Sequence, residues 1–70
     1  MTNYEVTLQY LRDMRDDDGM SLEDSLEMIS EQMQEGSEEI PEDDLAELES
    51  EVNRAVKDFI VECGGNPEDY

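Results

Sequence analysis

The apolar positions of this chain fall into three stretches, and each can be laid on one face of a helix. The clearest follows Ser21. Leu22, Leu26, Ile29 and Met33 succeed one another at steps of four, three and four, which is one stripe of an amphipathic helix. Ser21 suits the capping position, and Asp24 three residues on approximates a capping box with Asp in place of Glu. Gly36 is a natural stop. The pattern predicts a helix over about 21–35. A longer stripe runs through Leu45, Leu48, Val52, Ala55, Val56, Phe59 and Ile60. Pro41 fits its first position, Glu42, Asp43 and Asp44 suit the positive end of the helix dipole, and Gly64 and Gly65 end it. This predicts a helix over about 41–62.

The first stretch reads two ways. Tyr4, Val6, Leu8 and Tyr10 alternate with polar residues as a half-buried strand would. Tyr4, Leu8, Leu11 and Met14 also share a helical face, with Asn3 as a cap. A lone strand has nothing in the chain to pair with, which favours a helix over about 4–15. The strand alternative requires pairing with a second copy or another protein.

Three helices with short connections predict an all-α, up-down-up bundle over residues 1–65, with 66–70 as a mobile polar tail. Seventy residues support one domain near the lower limit of independent folding. The N-terminal residues lack the basic and apolar stretches of a secretory signal, no apolar run approaches a membrane span, and Cys63 is the only cysteine. These features fit a cytoplasmic protein.

Charge changes the picture most. Twenty-two residues are Asp or Glu and four are Lys or Arg, for a formal charge of −18. Clustered cations for phosphate contacts are missing, so a nucleic-acid binder of the usual basic kind is excluded, and an anionic membrane is disfavoured. With no His and one Cys, a His-based triad, a Cys/His zinc site and an internal disulfide are excluded. No cofactor is expected. Carboxylate pairs need a concave, water-poor pocket for acid–base work, and three short helices seldom enclose one, so an enzyme is not expected.

The acids are also unevenly placed. Asp16 through Glu51 contain sixteen Asp or Glu and no Lys or Arg; Arg12, Arg15, Arg54 and Lys57 all lie outside. The end of the first helix need not meet the second half of the third, so no pairing is assigned among them. Glu23, Glu27, Glu31 and Glu35 repeat every four residues, one carboxylate per ~6 Å of helix. Like charges at that spacing cost roughly 0.2–0.5 kcal/mol a pair. An acid-only face held at a cost points to a use, although a charge run can also serve only as a solvated face. Self-repulsion of this size predicts a fold stabilised by salt, with dimerisation through the long helix as one further source of support.

In size, charge and lack of catalytic residues, the chain resembles the small acidic DNA-mimic inhibitors of phages and mobile elements, of anti-CRISPR and anti-restriction type. No diagnostic motif carries the likeness. It implies a partner with a basic nucleic-acid-binding surface, such as a nuclease, a CRISPR effector, a repair enzyme or a nucleoid protein. It implies contacts through Asp16, Asp17, Asp18, Glu23, Glu27, Glu31, Glu35, Glu38, Glu39, Glu42, Asp43, Asp44 and Glu47.

A second resemblance is to acyl carrier proteins. Asp24-Ser25-Leu26 matches the motif around their prosthetic-group serine, and Glu39-Ile40-Pro41-Glu42-Asp43 and Ala55-Val56-Lys57-Asp58-Phe59-Ile60 look like later parts of that family. It implies Ser25 as a phosphopantetheine site. The expected glycine before the motif is replaced by Leu22-Glu23, and Ser25 falls within the predicted helix, where it reads as an ordinary surface residue. Asp16-Asp17-Asp18-Gly19 resembles part of an EF-hand loop, but Met14 and Ser25 would then hold its first and twelfth positions, so it reads as an acidic turn. Leu11-Arg12, Arg15, Gly19 and Ser21-Leu22-Glu23 resemble the opening two helices of a repressor-type helix-turn-helix, but the segment due to be a basic recognition helix, Glu35 to Asp44, is acidic, which excludes DNA binding by that route. Met20 and Met28 lie off the main stripe, as adaptable partner contacts or as the closing edge of the bundle. Cys63 reads as an incidental thiol.

Overall fold

The computed structural model describes residues 2–70; Met1, the first residue of the expected domain, lies outside them. The chain forms three α-helices: α1 at Asn3–Asp16, α2 at Leu22–Ser37 and α3 at Glu42–Glu62. The first stretch is a helix, and no strand occurs among the described residues. Thr2 rather than Asn3 caps α1: its Oγ1 accepts from the Glu5 N–H at 3.2 Å. Ser21 caps α2 as its sequence suggests, accepting from the Asp24 N–H at 3.2 Å.

Three boundaries differ from expectation. Gly36 does not stop α2, which runs on to Ser37, where the hydroxyl donates to the Gln34 carbonyl at 2.8 Å and closes the last turn. Pro41 flanks α3 instead of opening it, and its carbonyl accepts from the Leu45 N–H. The C-terminal segment is not featureless: Pro67–Asp69 make one 3-10 turn, capped by Asn66 and lying against α3.

The end of α3 is closed by both glycines. Gly64 has φ +84°, and the Gly65 N–H reaches the Ile60 carbonyl at 2.8 Å while the Gly64 N–H reaches Val61 at 3.0 Å. This is the paired bond pattern of a Schellman cap. A Cβ at Gly65 would meet Ile60 Cγ2 at 3.0 Å and Leu22 Cδ2 at 3.5 Å.

Cross-helix contacts run in the same order along α1 and α3: Asn3 to Glu51, Arg12 and Arg15 to Glu62. The two helices are therefore parallel, with α2 antiparallel to both. Leu11, Met14 and Phe59 form the centre, and Leu8, Met20, Leu22, Met28, Ile29 and Val56 pack around it. Met20 and Met28 thus close the bundle edge. Val52, Ala55 and Ile60 are also buried, so the buried residues of α3 all lie in its C-terminal half. The reason is length. Asn3 meets Glu51, so residues 42–50 run about 13 Å beyond the start of α1. There α2 and α3 form a two-helix projection, where Leu45 and Leu48 stay half-exposed.

Candidate protein-interaction surface

Three of the four cations, Arg12, Arg15 and Arg54, are held on the other part of the molecule, where α1 covers α3. Arg12 forms a two-pronged pair with Glu62, at 2.7 and 3.0 Å. Arg15 bonds Asp16 at 2.9 Å and Glu62 at 3.4 Å, lies 5.5 Å from the Phe59 ring centre, and reaches Cys63 Sγ at 3.7 Å. Arg54 stacks over Tyr4 at 5.2 Å, while the Tyr4 hydroxyl donates to Asp58. Lys57 lies beside Glu27 in a surface depression between α2 and α3.

These contacts shift protonation in the expected directions. The hydrogen bond from Arg12, with Arg15 nearby, holds the Glu62 carboxyl below the ordinary range. Arg15 does the same for Asp16. In return, the bond to Glu62 strengthens the hold of Arg12 on its proton, and Asp16 and Cys63 do so for Arg15. Tyr4 is raised by its bond to Asp58. The pairing of Arg12 and Arg15 with the end of α3, left unassigned from sequence, follows from the parallel packing of α1 and α3.

All thirteen expected contact acids are exposed. Asp16 is the one already paired; among the described residues the other twelve make no ion pair. They do not form one patch. Asp17 and Asp18 lie in the α1–α2 turn, where Gly19 has φ +65° and reverses the chain. Glu35, Glu38, Glu39, Glu42, Asp43, Asp44 and Glu47 gather on the projection, at the junction of α2 and α3. Glu23, Glu27 and Glu31 connect the two groups along α2, about 24 Å long. The last turn of α2 has no basic residue, and Glu35 sits at the negative end of its dipole, an unfavourable placement that nothing nearby offsets.

Two residues stand differently from their sequence reading. Ser25 is not on the surface: it is fully buried in the α2 packing face, and its hydroxyl has no hydrogen-bond partner among the described residues. A prosthetic group could not be attached there without opening the bundle. Glu49, omitted from the expected contacts, lines an open groove between α2 and α3 with Leu26, Ile29, Met33, Val52 and Val56. Its spacing of four from Leu45 and three from Val52 puts it beside the apolar stripe, a signal present in the sequence. Among the described residues, no group of three or more His, Cys, Asp or Glu is arranged to hold a metal, and no helix is long and apolar enough to cross a membrane.

Comparison with protein-family models, with curated proteins and with solved structures finds no match to this chain.

Proposed function

We propose that this protein is a non-catalytic, cytoplasmic inhibitor that occupies the basic nucleic-acid-binding surface of a target protein as a DNA mimic. The observation that supports this reading is its linear charge density. A formal charge of −18 along a longest dimension of 33 Å is about one net charge per 1.8 Å. Duplex DNA carries one per ~1.7 Å of axis. A cleft built to neutralise phosphates therefore meets a similar field, and complementary fields also speed the encounter. The arrangement of the cations favours the same reading. Arg12, Arg15 and Arg54 are engaged on the α1–α3 side, which leaves the projection purely acidic.

The test is capture from a host lysate with tagged protein, followed by elution with duplex DNA and mass spectrometry. A nuclease, CRISPR effector, repair enzyme or nucleoid protein in the DNA eluate is the expected result. A partner that stays bound through both DNA and raised salt would overturn mimicry and leave the charge as a solvated face.

A further inference from the structure

The groove between α2 and α3 is where an apolar surface and the acidic field coincide. No residue of α1 lines it. Val52 forms its floor, Leu26, Ile29, Met33 and Val56 are half-buried along it, and its volume is about 330 Å³. Through Leu26, Asn53 and Val56 it continues into a second depression of about 480 Å³ that ends at Pro67 and Tyr70. From Glu49 to Ile60 the floor is about 16 Å long, the length of three helical turns. The edges are polar. Ser30 and Asn53 are exposed, Glu49 and Glu27 supply carboxylates, and among the described residues Lys57 is the one cation lining it, at the end near Tyr70.

We propose that this groove receives an amphipathic helix of the partner, apolar on one face and flanked by Lys or Arg. The proposal rests on the reading of the protein as the binder of a basic partner, and adds the form in which that partner docks. Charge selects the occupant. A second copy would bring another 18 net negative charges against this one. A neutral apolar helix would gain burial but nothing from the field. A basic amphipathic helix gains both, with anchors at i, i+3 or i+4 and i+7 meeting the apolar residues of the groove. Its cations belong at the Glu49 end, next to the acidic projection and away from Lys57.

The test uses the whole chain and a synthetic peptide of about fourteen residues, four helical turns. Leu occupies the anchor positions and Lys or Arg the flanks. A control has the same composition in scrambled order, so charge is equal and only the apolar face is lost. Fluorescence anisotropy should show the ordered peptide binding at least about tenfold tighter than the control. Methyl signals of Leu26, Ile29, Met33 and Val56 should shift on binding. Asn53→Trp fills the groove from an exposed position without changing charge and should erase the difference. Ser30→Trp is the second variant should the first fail to fold. Equal binding of the two peptides, or a preference that survives the Trp variants, would overturn the proposal. So would sedimentation showing a wild-type dimer that Asn53→Trp dissociates, because a second copy would then fill the groove. The two readings fail separately. If Asn53→Trp still captures a DNA-eluted target as wild type does, mimicry stands and the groove does not. If wild type captures no DNA-eluted target yet prefers the ordered peptide, the groove stands without mimicry.

Discussion

Ser25 places a hydroxyl inside an apolar interface with no hydrogen-bond partner among the described residues. An unpaired buried polar group costs about 1–3 kcal/mol, and Ser is also a poorer helix former than Ala. Ser25→Ala removes both costs and only one small atom, so it should stabilise the fold by about 1 kcal/mol. A higher thermal midpoint is the expected measurement; a lower one would mean that the hydroxyl has a partner in solution. Glu62 is the opposite case, an exposed carboxylate that two arginines share. Its folded pKa lies below the ordinary carboxylate value, so the ionised form is favoured by folding. That contribution is fully present above the ordinary value, near 4.5, and is lost as pH falls through the lower folded value. Glu62→Gln should therefore be less stable than wild type at neutral pH, by a small, salt-sensitive margin. The margin should shrink as pH drops below 4.5, measured by denaturant unfolding of both proteins across pH. A margin independent of pH would mean that the pairs do not persist in solution.

At the scale of elements, the mismatch between α1 and α3 decides where the molecule is firm. The C-terminal half of α3 is buried under α1, whereas residues 42–50 pack only on the end of α2. Few buried apolar contacts place a segment at the low end of local stability. Hydrogen exchange should therefore show amides 46–50 much less protected than amides 56–60, and partner binding should raise their protection. Equal protection along α3 would mean that the helix opens only with the whole fold. The three helices were legible in the sequence because stripes such as Leu22–Leu26–Ile29–Met33 and the Ser21 cap are local signals. The extension of α2 past Gly36 was not, because a glycine without a positive φ does not end a helix, and only the packing shows its φ. Ser25 was misread for a related reason. Its residue type suggests the surface, while its position, three residues after Leu22 and four before Ile29, puts it on the packing face. The acids were visible from the sequence, but the sharing of Glu62 by Arg12 and Arg15 required knowing that α1 and α3 are parallel.

At the scale of the whole molecule, charge opposes folding more than any single contact supports it. Among the described residues, twelve of the thirteen candidate contact acids form no ion pair, and Glu35 faces an unfavourable helix dipole. The three cationic side chains paired or stacked on the α1–α3 side relieve only their own neighbourhood. Screening should therefore act on the entire acidic surface, and its effect should exceed what is lost from the few pairs that salt also weakens. The Debye length falls from about 30 Å at 0.01 M to about 10 Å at 0.1 M, from nearly the full length of the molecule to less than half of it. Most of the stabilisation should accordingly arrive within that range. The expected outcome is a thermal midpoint that climbs steeply from 0.01 to 0.1 M NaCl and flattens above, the same for NaCl and KCl. A midpoint that falls with salt would mean that the Arg12–Glu62–Arg15 group outweighs the repulsion. The same field that burdens the free protein is the one a basic partner would neutralise. A bound partner should then replace salt: the complex should melt higher than the free protein, and its added stability should be largest where salt is lowest.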